Sequence, residues 1–492
     1  MRSKANPHFK CGTLLPITSL PSPYGIGTLG AAAFDFVDFL KKSGQNEWQI
    51  LPLCPIGEGN SPYKSPCSFA GEPLLIDLDL LCEEGLLRAE ELPERQPSAR
   101  VDYPRVRQEK EPLLLLAAAR FDTTRTDFHR FCRQNAFWLN DYAMFCTIVQ
   151  EEKPISLSEI SADLRARKPQ ALTVFRLTHA EQIRTHKVLQ FLFYKQFFAV
   201  KEYANQNGIR LIGDLPFYVS PDSMEVWKHT ACFRVGQDLV PTQVAGVPPD
   251  LFSESGQLWG NPIYDWVFLR RSGYAFWKQR LGHSLHLFDR LRIDHFRAFA
   301  DYYAIPFGAP DARCGVWERS VGLEFWKRMH KTLGALPILA EDLGGEDAAV
   351  QKLLHDTGFP GMKVLQFAFS KDLANPFLPR NFTPNCVCYT GTHDNNTTLG
   401  WYRAAKDRER RLFSRLAPRV QLSVPHRLIL MGLRSRAERM IVPMQDWLNL
   451  DETARMNTPG TLSGNWEWRL SDGSLTETLV QKVAVLCAER RR

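Results

Sequence analysis

One rhythm constrains this chain more than any other feature. Short apolar runs, each closing on glycine or a polar residue, recur between helical patterns at 11–15, 49–53, 209–213, 291–294, 337–341, 362–367, 386–390 and 440–443. Helical periodicity lies between them: 31–42 carries Phe34, Val37 and Leu40 on one side, and 188–205, 274–290, 323–333 and 348–355 are similarly apolar. Gly208, Gly334 and Gly358 follow three of these helices, where a residue with positive φ suits the end of a helix. Eight strands alternating with helices predict an α/β fold, a parallel sheet closed into a (β/α)8 TIM barrel.

Two intervals break the rhythm. Residues 54–185 are too long for a loop and predict a mainly helical insertion after the second strand, with helices such as 112–120 and 137–149. Residues 218–265 are rich in Gly and Pro and read as an inserted loop beside the barrel mouth. Nothing β-rich follows the eighth run, so the expectation is one barrel domain over 1–492 without a C-terminal sandwich.

Composition narrows the partners. A charge of +7 on 492 residues is modest and suits a neutral substrate better than a polyanion. Its most visible source is the arginine run from Arg403 to Arg439, which reads as a solvated helical face because no nucleic-acid motif accompanies it. The polar start 1–10 lacks an apolar leader and no run of about 18 apolar residues occurs, so a cytoplasmic chain without membrane spans is expected. Eleven scattered cysteines fit reduced thiols, and without HExxH or paired CxxC no metal or other cofactor is implied.

In such barrels chemistry sits at the C-terminal ends of the strands. Here those ends carry Asp214, Asp294, Glu341 and Asp394. Bringing four like charges to one rim is costly, which points to a use for them. Each has a plainer reading: Asp214 as a turn cap, Asp294 as half of an ion pair with Arg292, Glu341 as partner of a basic loop residue, Asp394 as a helix cap. Paired carboxylates at a barrel mouth suit glycosyl transfer, where one acid attacks the anomeric carbon and the other protonates the leaving oxygen. Arg292 beside Asp294 suits an ionised nucleophile. Glu341, coming off the apolar run 336–340, suits a protonated acid.

The motifs Ser61-Pro62-Tyr63, Gly213-Asp214-Leu215-Pro216-Phe217-Tyr218, Gly246-Val247-Pro248-Pro249-Asp250 and Gly260-Asn261-Pro262 add a further layer. With Arg292-Ile293-Asp294-His295-Phe296-Arg297, Glu341-Asp342-Leu343-Gly344, Gly391-Thr392-His393-Asp394-Asn395 and Asn465-Trp466-Glu467-Trp468-Arg469, they span nearly the whole chain. In this order they resemble the amylomaltases, or disproportionating enzymes, glycoside hydrolase family 77 of the α-amylase clan. The resemblance implies a retaining 4-α-glucanotransferase acting on α-1,4-glucans and maltooligosaccharides. It implies Asp294 as nucleophile, Glu341 as acid/base and Asp394 as the third acid. Arg292, His393 and Asp214 become the shell of the reacting subsite. Asp250, Phe252 and Trp259 fall on the acceptor side, in the inserted segment 218–265, and Tyr63 and Asn465 in segments lining the groove. Leu251, where an aromatic is expected, and Lys64, Cys67 and Glu72 depart from the pattern without touching the acids.

Overall fold

The computed structural model of the protein describes residues 9–95, 98–249, 253–344, 347–370 and 373–489. Twelve strands run through these residues. β1 (Lys10–Leu14), β2 (Glu47–Gln49) and β3 (Arg210–Leu215) open a barrel, and β4 (Gln243–Val247) and β5 (Gln257–Pro262) leave it. β6 (Arg290–Ile293) returns; β7 (Asp301–Pro306) and β8 (Val316–Arg319) leave it again. β9 (Ile338–Ala340), β10 (Gly361–Val364), β11 (Cys386–Tyr389) and β12 (Arg439–Pro443) complete it. The ring closes in the order β1-β12-β11-β10-β9-β6-β3-β2, with every neighbour parallel. All eight expected barrel strands are present, and helices follow most of them.

Two of these strands are displaced from their apolar runs. β2 lies at Glu47–Gln49 rather than 49–53: Leu51 and Leu53 are buried, but the chain leaves the ladder before Pro52. β10 ends at Val364, and Leu365–Ala368 turns into a short 3-10 helix. Close approach, not turn geometry, demands glycine at Gly213. A Cβ there would lie 2.1 Å from the Phe288 ring, so a larger residue would push β3 and the adjoining Asp214 off the barrel.

Between β2 and β3 lie helices Tyr103–Arg120, Thr126–Gln134, Ala136–Glu152 and Pro169–Thr178, and the long helix Ala180–Gln206 leads into β3. The first begins well before the expected 112, because Asp102 caps it by accepting from Arg105 N–H. Pro112 is accommodated within it.

The reading of 218–265 as a loop is corrected. This segment supplies β4 and β5, which join β7 and β8 in an antiparallel sheet of order β5-β4-β7-β8. The arginine run is largely exposed and partly paired, as in Arg403 with Asp451 and Arg434 with Glu489. Arg439 lies inward: with Arg290 it meets buried Glu47 at the N-terminal end of the barrel, at 3.2 and 3.7 Å. Among the described residues no helix is long and apolar enough to cross a membrane.

Candidate active site

Strand alternation builds the site. Along β6, Leu291 and Ile293 are buried in the hydrophobic core, while Arg290, Arg292 and then Asp294 take the other side. Register sets Arg292 directly opposite Asp214 on β3. The Arg292 guanidinium donates to Asp214 Oδ2 at 2.6 Å and to Asp294 Oδ1 at 2.9 Å. Burial works against its charge, but Asp214 and Asp294 outweigh that and hold the arginine well above its ordinary pKa. Tyr63 OH donates to the same Asp214 oxygen at 2.9 Å, and Oδ1 of Asp214 has no hydrogen-bond partner among the described residues. Burial pushes the Asp214 carboxyl upward against the pull of Arg292. Its contacts are therefore with the site and not with the following turn, which removes the capping reading.

Glu341 follows β9 directly and is held differently. Among the described residues no cation pairs with its carboxylate. Oε2 accepts from His295 N–H at 2.9 Å and Oε1 from Leu343 N–H at 2.8 Å. Main-chain bonds from Glu341 N–H to Ile293 O and from Phe296 N–H to Glu341 O, both 3.0 Å, lock the β9 end against the Asp294 turn. Burial, reinforced by the charge of Asp294, pushes Glu341 up to about 7.

His295 adopts a left-handed conformation, φ 51°, uncommon for a residue with a side chain. This turn aims its N–H at Glu341. The following turn, Phe296–Phe299, is anchored by Phe299 against Phe217, Phe325 and Trp326, with ring centroids 4.7–4.8 Å apart. Burial lowers the His295 imidazole to about 4, so it is neutral at pH 7, and its ring meets Trp259 edge-on at 4.8 Å.

Asp394 lies beyond β11. Asn395 Oδ1 accepts from Thr392 N–H and Oγ1, at 2.8 and 2.9 Å, closing the turn that presents His393 and Asp394. The next helix, Thr398–Ala404, is capped by Thr397, so Asp394 is not its cap. The Asp394 carboxylate is 43% exposed, unlike that of Asp214. It accepts from Asn457 Nδ2 at 2.6 Å. The His393 ring stacks on Tyr63 at 5.3 Å, with Trp466 tilted against both.

Thus Tyr63, Asp214, Arg292, Asp294, Glu341, His393 and Asp394 join in one network or stack at the rim, and Trp259 adjoins it through His295. Asn465 is committed elsewhere. Its Oδ1 accepts from Thr458 N–H and its Nδ2 donates to Thr461, so the amide expected to meet substrate braces its own loop. Asp250 and Phe252, and the departure at Leu251, lie outside the described residues. Glu72 accepts from Ile56 and Leu74 N–H, and Lys64 pairs with Glu58, both away from the acids.

Asn457 and the His295 amide were not legible beforehand. An asparagine in Met456-Asn457-Thr458-Pro459 reads as turn chemistry, and a main-chain donor leaves no mark in sequence. Among the described residues no group of three His, Cys, Asp or Glu side chains is placed to hold a metal ion.

Comparison with known proteins adds a further finding. The profile of glycoside hydrolase family 77, described as 4-alpha-glucanotransferase, matches residues 15–476. A 4-alpha-glucanotransferase of Thermus thermophilus is 44% identical over 478 residues, covering 94% of this chain and 95% of that protein. The chloroplastic/amyloplastic 4-alpha-glucanotransferase of Solanum tuberosum is 39% identical, covering 96% and 84%. Among solved structures, the amylomaltase from Streptococcus agalactiae in complex with acarbose superposes with a TM-score of 0.95 at 37% identity, over 98% of this chain and 99% of that one.

Proposed function

This chain belongs to the 4-alpha-glucanotransferases of glycoside hydrolase family 77, and from that premise we propose that Asp294, Glu341 and Asp394 are its catalytic carboxylates. The enzyme transfers α-1,4-glucan segments from a donor maltooligosaccharide to the 4-hydroxyl of an acceptor glucan or glucose, with retention through a covalent glucosyl-enzyme.

The contrast between two carboxylates carries the assignment. Asp294 receives the Arg292 guanidinium at 2.9 Å, which holds its carboxylate in place at the rim for attack. Glu341 receives, among the described residues, only main-chain N–H groups in a buried setting and lies near 7, so a large fraction is protonated at neutral pH. In the first half-reaction Asp294 attacks the anomeric carbon while Glu341 gives its proton to the glycosidic oxygen, and the reducing-end fragment leaves. In the second, ionised Glu341 takes the proton of an acceptor 4-hydroxyl, which attacks the same carbon and releases Asp294. Two inversions restore the α configuration.

Asp394, exposed to the groove and held by Asn457, binds hydroxyls of the reacting glucose. Tyr63 and His393 form one wall. Trp259 stands beside His295 on the acceptor side, where an apolar face favours sugar over water. Asp214 serves by fixing Arg292. Asp250 and Phe252 remain acceptor-side proposals on the strength of their motif, and Asn465 acts through its loop.

Incubation of the purified protein with maltotriose, products resolved by chromatography over time, tests this reading. A ladder of longer maltooligosaccharides with glucose or maltose is expected. Only shorter sugars, with reducing ends rising steadily, would make the reaction hydrolysis on the same scaffold and sink the proposal.

A further inference from the structure

The antiparallel sheet beside the barrel ends at β8, and on that edge strand Trp317 is 42% exposed. A tryptophan is a large apolar surface to leave in water, and this one is held rather than loose. One face lies 4.0 Å from the Arg297 guanidinium carbon, and its edge meets the Tyr303 ring at 5.2 Å and 61°. Arg297 is itself fixed on both arms. Nε donates to Asp301 at 2.8 Å and Nη2 to Asp347 at 2.9 Å. A cation over an indole fixed by two carboxylates makes a rigid ring, one face covered and much of the remainder open. Two residues along the same strand, on the same side by alternation, Arg319 is exposed and has no ion-pair partner among the described residues.

Position connects this ring to the chemistry. Arg297 is three residues beyond Asp294, so their Cα atoms lie at most about 11 Å apart. Asp347 caps the helix that follows the Glu341 loop. Arg297, which covers Trp317, and Asp347, which fixes Arg297, therefore follow closely on the two reacting carboxylates. The substrate is a polymer whose apolar sugar faces stack on aromatic rings and whose hydroxyls accept from cationic N–H groups. Trp317 and Arg319 offer those two features side by side.

We propose that Trp317, with Arg319 beside it, is a stacking platform for an α-1,4-glucan, engaging glucose residues beyond those in the reacting subsites. The inference rests on the glucan-transfer reading of the mouth and extends it to a site that short substrates do not reach. Its consequence is selectivity for long chains, exercised in KM.

The test compares wild type, Trp317→Ala and Trp317→Phe on maltotriose and on a long linear α-1,4-glucan, with thermal melts of all three. Loss of one aromatic contact is expected to lower the ratio of kcat/KM on the long substrate to that on maltotriose roughly three- to tenfold, through KM. Trp317→Phe keeps most of that ratio because a ring remains. An unchanged ratio overturns the proposal. So does an equal loss on both substrates with a lowered melting temperature, which reduces Trp317 to packing on Arg297. Failure of the wild type to lengthen maltotriose is a separate result and would strike the glucan-transfer reading itself.

Discussion

The two ends of the barrel handle buried charge in opposite ways. At the N-terminal end Glu47 lies between Arg439 and Arg290, so cations outnumber the carboxylate. At the mouth, among the described residues, Arg292 alone pairs with Asp214 and Asp294, and no cation pairs with Glu341. Strand β6 supplies both ends, beginning at Arg290 and running through Arg292 to Asp294. Compensated charge joins strands there; at the mouth burial, reinforced by the charge of Asp294, lifts Glu341 toward neutrality and leaves a proton available.

Breaking the mouth should cost catalysis. Glu341→Gln is expected to lower kcat/KM on maltotriose by about 10²–10⁴-fold, measured by initial rates of product formation. In the wild type the acid must be protonated when the donor bond breaks. kcat/KM should therefore fall about tenfold per pH unit above about 7, as the raised carboxyl ionises. A donor whose leaving group needs no proton, such as a maltosyl fluoride, should lack that limb; if it keeps it, Glu341 is not the acid.

Breaking the other end should cost folding instead. Glu47→Ala leaves Arg290 and Arg439 facing each other where the carboxylate was, with an expected loss of roughly 3–5 kcal/mol in denaturant unfolding. Among molecules still folded, turnover per site should stay close to wild type. A large fall in kcat with unchanged stability would erase the distinction between the two ends.

The smallest effect sharpens the comparison within the mouth. Asn457→Ala removes a neutral donor from Asp394, and a loss of roughly tenfold is expected, in kcat more than KM. Asn457→Asp should be worse, because it sets a second carboxylate beside the first. Equal effects of the two substitutions would mean that Asn457 only shapes its loop.

How far the sequence reached follows the same division between local and distant causes. The barrel strands were legible because each is an apolar run, most of them followed by a helix, and the acids because they stand where those runs stop. β4, β5, β7 and β8 were not, since their pairing joins Gln243 to Pro306 and Asp301 to Arg319 across long intervals. Gly and Pro in 218–265 described the turns of that sheet and concealed its ladders. Asn465 differs again, because its motif locates the residue while its hydrogen bonds decide what its amide is free to do.

The cradle of Glu341 also bears on how the enzyme cycles. Both donors are main-chain amides, which do not titrate and which every residue but proline would supply at positions 295 and 343. Either carboxyl oxygen can accept from an amide whether or not the group carries a proton, so each handover leaves the same two bonds in place. The residue can alternate between giving and taking a proton with no rotamer change and no loss of a partner. Turnover then resembles a valve whose seat stays still while only the smallest part, the proton, moves.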